Sequence, residues 1–565
     1  MLEGGPTGGD VLRRAIGGQR RHVAGASLLG TAHQGCEAMV PVVIGIVIDR
    51  AVATGDSGAL VRWLVVLAGL FLVLSTCYRV GARMGERAGE QAAHRLRLEL
   101  GTRVLDPRGG ADADRLPGVL ATIATSDAKR VGGVATVLPY GVAALAGLAV
   151  SAVVLLRMSV PLGLLVLLGI PPLLWLGHRI SRPLERRSGV EQEHAAQASG
   201  IATDLVAGLR VLKGFGAESA AVARYRRTSQ DSLGAALRAA GSRAWHDGAI
   251  LALTGIFIAL IGLVGAHLAM NGDISVGELV AAVGLAQFLL GPFQLLTYVN
   301  GEFAQGRASA ERIASVLAAP AAVPTGTAAP AAPVAGALRL RGVRHGALRG
   351  LDLDIASGSL VGVVARDQAA AADLLVCLAR EAAPEEGSIE LDGVDLAELD
   401  PAAVRGAILV AHHDADLFEG SVLDNVLAGR DGDAAGAGPA LEAAAADDVA
   451  RTLPEGLETV LSERGRSLSG GQRQRVALAR ALAADAPVLV VHDPTTAVDT
   501  VTESKIASRL RDVRAGRTTI LVTTSPALLA VTDRVVVLDG GTVTAEGRHP
   551  DLAAAHAAYR SVVLT

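Results

Sequence analysis

Leu468-Ser469-Gly470-Gly471-Gln472-Arg473-Gln474-Arg475 leads into Val476–Leu482, a run of helical composition. Two adjacent glycines let backbone N–H groups come close to a bound group. The start of a helix directs unpaired N–H groups, and the positive end of its dipole, at an anion. Ser469 adds a hydroxyl donor. The stretch therefore reads as a phosphate contact. Around it, short β-rich runs (Leu360–Val364, Val488–Val491, Thr519–Val522, Arg534–Leu538) alternate with Ala-rich helical stretches. That alternation predicts an α/β domain over 337–565.

The other half is apolar. Hydrophobic residues make up 50% of the 565 residues, and mean hydropathy is +0.41. Six stretches, about 23–48, 59–80, 133–156, 160–178, 249–270 and 276–299, are long enough to span a bilayer. The first follows Arg13, Arg14, Arg20 and Arg21, as in a leader, but runs on to Ile48, too long for one. The connections at 81–132 and 179–248 read as Arg- and Glu-bearing helix. Arg79, Arg83 and Arg87 continue from the second span, and Arg179, Arg182, Arg186 and Arg187 from the fourth. Basic residues mark the cytoplasmic side. The expectation is a multi-pass protein of the cytoplasmic (inner) membrane, with both termini, both long loops and the α/β domain in the cytoplasm. Residues 1–317 form the membrane domain, and the Ala/Pro-rich stretch 318–336 reads as a linker. A net charge of −4 gives no basic excess, which argues against a nucleic-acid partner. Cys36, Cys77 and Cys377 are scattered and build no disulfide framework or metal spacing.

LSGGQ-RQR resembles the signature motif of ABC ATPases. Glu463-Arg464-Gly465 resembles the loop that meets the membrane domain in the exporter branch. Pro487–Asp499 is similar to a Walker B strand and D-loop. Gly208-Leu209-Arg210-Val211-Leu212-Lys213 and Ile274–Val280 also resemble this family. The chain is identified as a member of the exporter-type ABC transporters. The implied fold is an α-helical membrane domain of six long transmembrane helices plus an α/β P-loop-type (ABC ATPase) nucleotide-binding domain.

The ATP-site positions depart from the pattern. A P-loop reads G-x-x-x-x-G-K-[ST] between strand and helix. Here Ala365, Ala370, Ala371 and Ala372 stand at the two glycines, the lysine and the Mg²⁺-binding hydroxyl, before an expected helix Leu374–Arg380. Alanine resists positive φ. The missing lysine removes a unit-charge pair worth roughly 4 kcal/mol at 4 Å before desolvation. Asp367 and Asp373 add like charge. His492 replaces the Mg²⁺-binding Asp, Asp493 the catalytic Glu, His413 the Q-loop Gln and Thr524 the switch His. The nearest ring for adenine is His345. His492 and His413 do not form a metal site, since no Cys or carboxylate cluster surrounds them at ligand spacing.

In the family, each ATP lies between the P-loop of one nucleotide-binding domain and the LSGGQ of another. The resemblance implies ATP and Mg²⁺ at a partner's Walker site, closed by Ser469, Gly470, Gly471, Gln472 and Asp499 of this chain. The implied partner is a second ABC half-transporter with intact Walker motifs. Alone, this chain is expected to lack ATPase activity. The loops near Asp114–Asp127 and Gly208–Lys213 are expected to couple the domains. His33, Gln34 and Glu37 in the first span, and Gln287 and Gln294 in the sixth, are substrate-path candidates; helix-packing hydrogen bonds are the other reading. Pro161, Pro171 and Pro172 are expected to kink or end the fourth span. Membrane lipid surrounds the chain, and a small molecule, lipid or peptide is the expected cargo. A non-transporting membrane pseudo-ATPase and a siderophore-type importer on the same fold stay open.

Overall fold

The computed structural model describes residues 5–113, 115–413, 416–428 and 434–564. Asp114, Asp414 and Ala415 lie outside the described residues. The chain divides into two compact units, Met1–Glu99 with Ala121–Ser315, and Leu100–Leu120 with Val316–Thr565.

The first unit is helical. Its long helices are α1 (Arg20–Val47), α2 (Ser57–Val104), α3 (Ala128–Met158), α4 (Val160–Ala207), α5 (Glu218–Met270) and α6 (Val276–Leu317). Most run far beyond the apolar stretches that seed them, because Ala, Leu, Arg and Glu in the flanks are strong helix formers. Leu64, Val65, Phe71 and Leu72 of α2 are exposed, a face suited to lipid rather than water. Among the described residues, five helices are long and apolar enough to cross a membrane, and α1 is not one of them. Six were expected. The 28-residue α1 is long enough, but His33, Gln34 and Glu37 dilute its apolar character. Of the expectation that the prolines kink or end the fourth span, the ending is not met. Pro161 sits in the first turn of α4, where Ser159 caps the helix, yet Pro171 and Pro172 lie inside it and the helix continues to Ala207. Neighbouring membrane helices tolerate such interruptions, and α5 packs along α4.

Small residues set the closest approaches. At Gly132 of α3 a Cβ would stand 2.9 Å from the Ala93 Cβ and 3.0 Å from its amide, so only glycine lets α2 and α3 meet there. Asp127, 3% exposed, accepts hydrogen bonds from Arg312 Nε (2.8 Å), Arg312 Nη2 (2.6 Å) and Ser309 Oγ (2.9 Å), tying the start of α3 to α6.

The second unit is α/β. β1 (Leu338–His345), β2 (Leu348–Ile355), β4 (Glu386–Leu391) and β5 (Val394–Asp395) form an antiparallel sheet in the order β2-β1-β4-β5. A six-stranded sheet follows the order β10-β9-β3-β8-β7-β6. Its strands are β3 (Leu360–Ala365), β6 (Ile408–Ala411), β7 (Val488–His492), β8 (Thr518–Val522), β9 (Arg534–Asp539) and β10 (Thr542–Gly547). All its pairs are parallel except β9–β10. Buried Val361, Val363, Val488, Val490, Ile520 and Val522 fill one face, the pattern of strands covered on both sides. The 318–336 stretch is strapped down rather than free. Val323 is buried, Ala328 N donates to Glu398 O (3.0 Å), and Asp392 gathers the amides of Ala335, Gly336 and Ala337 at 2.7–3.2 Å.

Removing the buried carboxylate with Asp127→Ala is expected to destabilise the membrane unit by about 2–3 kcal/mol, since Arg312 is half-exposed and keeps partial hydration. Thermal unfolding of the detergent-solubilised chain should show the lower midpoint, with Asp127→Glu less affected.

Candidate functional site

β3, β8 and β7 lie side by side, with Val363 abreast of Val522 and Val522 abreast of His492. Their C-terminal ends make the edge at which parallel sheets bind ligands. At this edge β3 ends on Ala365, and only Arg366 and Asp367 separate it from α7 (Gln368–Leu378). The helix therefore begins at Gln368 rather than at the expected Leu374, because the alanines favour helix and Asp367 caps it. Asp367 Oδ1 accepts from Ala369 N (2.9 Å), and its carbonyl from Ala371 N (3.3 Å). No residue from Ala365 to Ala372 has a positive φ. Ala370 and Ala371 are buried in the domain core. Asp373 turns back to accept from Ala347 N (2.6 Å), and Arg366 pairs with Asp539 at 2.6 Å.

His413 and His492 meet, with ring centroids 5.0 Å apart and edge to face. His492 Nε2 lies 3.7 Å from Asp493 Oδ2. Both histidines line a cavity of about 490 Å³ with His412, Gln474 and Arg480. Burial pushes the His492 pKa down, opposed by Asp493 and reinforced by His413 and His412. Asp493 itself holds φ +43°, a strained backbone that aspartate tolerates better than most residues. Thr524 is exposed beyond β8. His345 lines none of this edge cavity and sits 3.8 Å from Glu385.

The signature segment is intact as a helix start. Ser469 caps α8 (Gly470–Ala483) in a capping box, with Gln472 N donating to Ser469 Oγ (3.3 Å) and Ser469 N to Gln472 Oε1 (2.8 Å). Gly471 lies so close to the Ala497 carbonyl that a side chain would collide. Gln474 fastens the D-loop, accepting from Ala497 N (2.9 Å) and donating to Thr496 Oγ1 (2.6 Å). Asp499 caps α9 (Thr500–Val513). The Thr502 amide, then its hydroxyl, hold the Asp499 carboxyl below the usual range. The Gln474 clamp was not anticipated; its signal was the Gln of the RQR run.

The membrane unit brings the five substrate-path candidates together. His33 and Gln34 line a cavity of about 310 Å³ with Tyr78, Tyr140 and Tyr298. Gln34, Glu37, Gln287 and Gln294 line a second of about 580 Å³, and Gln34, Leu295 and Tyr298 border both. His33 Nε2 is 3.6 Å from Glu37 Oε2, and its ring centroid is 5.1 Å from that of Tyr78. The tyrosines escaped the sequence reading, although three of only five in the chain fall here. Their signal was placement inside or beside apolar spans in an aromatic-poor chain.

The family model for the ABC transporter transmembrane region matches residues 25–293, and that for the ABC transporter ATPase matches 348–496. An ATP-dependent lipid A-core flippase of Thiobacillus denitrificans is 31% identical over 407 residues, covering 70% of each chain. The chain belongs to the ABC transporter family. It carries an ABC transmembrane domain fused to an ABC ATPase domain, of the exporter type, and is a multi-pass membrane protein. A multidrug efflux ATP-binding/permease protein of Mycobacterium tuberculosis is 31% identical over 525 residues, covering 92% of this chain and 44% of that protein. This ABC chain thus spans less than half the length of its mycobacterial relative. A bacterial Atm1-family ABC exporter solved with ATP bound superposes with a TM-score of 0.77 at 26% identity, covering 96% of this chain and 98% of that one. ABC ATPase domains in general bind ATP with Mg²⁺.

Burial lowers the His492 pKa in the folded chain, so the unfolded chain takes up more protons once pH falls below the ordinary histidine value of about 6.5. Stability contributed by His492 is present above that pH and is lost as pH falls through the lower folded value. Unfolding midpoints of the full chain between pH 7 and 5 should decline, and His492→Gln should flatten part of that decline.

Proposed function

We propose that this chain is one half of a heterodimeric ATP-driven exporter, whose signature face completes an ATP site on a second half with intact Walker motifs. The observation that carries the reading is the contrast between two helix starts. At α7 the amides that a phosphate would need are taken by Asp367, and no lysine or positive-φ residue is available. MgATP does not fit there: a carboxylate stands beside the phosphate position, and His492 offers no oxygen to Mg²⁺. At α8, Gly470 and Gly471 leave the helix start open to an anion. Ser469, Gly470, Gly471 and Gln472 are the residues assigned to the partner's ATP, and Asp499 holds the D-loop beside them. Bound there, ATP supplies the free energy that closes the two ATPase domains.

The six apolar stretches are assigned as six spans, with α1 crossing despite its polar residues because these face cavities. The basic flanks put the termini and ATPase domain in the cytoplasm. The short helix Leu209–Gly214 leaves Leu209, Val211 and Phe215 exposed, as a coupling helix that docks on an ATPase domain requires. The region up to Asp127 is assigned the same role. Relatives named for multidrug efflux and for lipid A-core flipping favour an amphipathic cargo, a small molecule, lipid or peptide.

Purified alone, the chain should give no ATPase above background. Co-purified with its partner half, Gly470→Asp should remove at least about tenfold of the pair's ATPase, given the lost anion contact, while Asp493→Glu should change nothing. Full turnover with Gly470→Asp would mean that the signature is idle.

A further inference from the structure

The two membrane cavities have a one-sided chemistry. Neither has a Lys or Arg in its lining, and Glu37 is the one carboxylate. His33 Nδ1 lies 3.0 Å from the Leu74 carbonyl oxygen. A carbonyl only accepts, so that nitrogen carries a proton. His33 Nε2 lies 3.6 Å from the Glu37 carboxylate. Gln34 Oε1 is buried with no donor. Acceptors thus converge with no Lys or Arg in the lining to answer them, a costly arrangement in a low-dielectric setting unless a positive group joins it. Around them stand the rings of Tyr78, Tyr140 and Tyr298, and aromatic faces attract cations.

We propose that this pair of cavities binds an amphipathic organic cation, with Glu37 as counter-ion and the tyrosine rings as its walls. The inference rests on the transporter reading above and names the class of its cargo. An anionic headgroup is disfavoured by the same lining, because a phosphate desolvated here meets a carboxylate and no base. The apolar bulk of the ligand lies against Leu295 and Ala143, and its positive centre lies toward Glu37.

The test is equilibrium binding to the purified full chain in phosphatidylcholine nanodiscs, corrected with empty nanodiscs. The probes are radiolabelled tetraphenylphosphonium and tetraphenylborate, which share shape and differ in the sign of their charge. The expected result is saturable binding of the cation, about tenfold or more tighter than the anion. Glu37→Gln should weaken the cation about tenfold, as loss of one counter-ion in a half-buried site predicts, and Glu37→Asp should restore most of it. Tyr298→Leu should weaken it severalfold and Tyr298→Phe should not, because the ring face and not the hydroxyl holds the charge. Equal affinity for the anion, or cation binding unmoved by Glu37→Gln in a chain with an unchanged unfolding midpoint, overturns the proposal. The measurement needs neither a partner nor nucleotide. A failed ATP-site test therefore leaves it readable, and a failed binding test leaves the ATP-site reading intact.

Discussion

Every α-helix begins with backbone N–H groups that have no partner within the helix, and the ATPase domain is organised by what fills them. At α7 the chain answers with its own carboxylate, Asp367, and the turn between strand and helix shrinks to two residues. At α8 it answers with a hydroxyl and an amide, Ser469 and Gln472, flanking two glycines. At α9 Asp499 does the capping. A charged cap excludes a phosphate by like charge; a neutral cap with bare glycine backbone admits one. The two helix starts thus differ in what holds their amides, an acid at α7 and a hydroxyl with a side-chain amide at α8.

The neighbouring groups follow from that division. His492 and His413 pack edge to face, and burial lowers the His492 pKa. Gln474 keeps the D-loop fixed to the signature helix through Thr496 and Ala497. The signature segment is thus held by hydrogen bonds on both sides of its glycines.

In the membrane unit the constraint is desolvation. Apolar helices gain little from one another in lipid, so glycine contacts such as Gly132 against Ala93, and the Asp127–Arg312–Ser309 cluster, fix their packing. Polar groups within spans must find partners or line cavities. His33, Gln34, Glu37, Gln287 and Gln294 do the latter.

The sequence alone determined the division into an apolar helical half and an α/β half, and four of the six strands of the larger sheet. These follow from periodicity, run length and local turn chemistry, which need no distant contact. It also listed the five polar membrane residues, but as two separate groups. Only the tertiary structure decided that they share adjoining cavities with three tyrosines, since α1 and α6 are far apart in the chain. Local signals did not show that α4 runs on past Pro171 and Pro172, nor that Asp392 supplies hydrogen bonds to the end of the 318–336 stretch. The residues between β3 and α7 were legible one by one. That Asp367 closes the helix start depended on where α7 begins, which the geometry at the end of β3 decided.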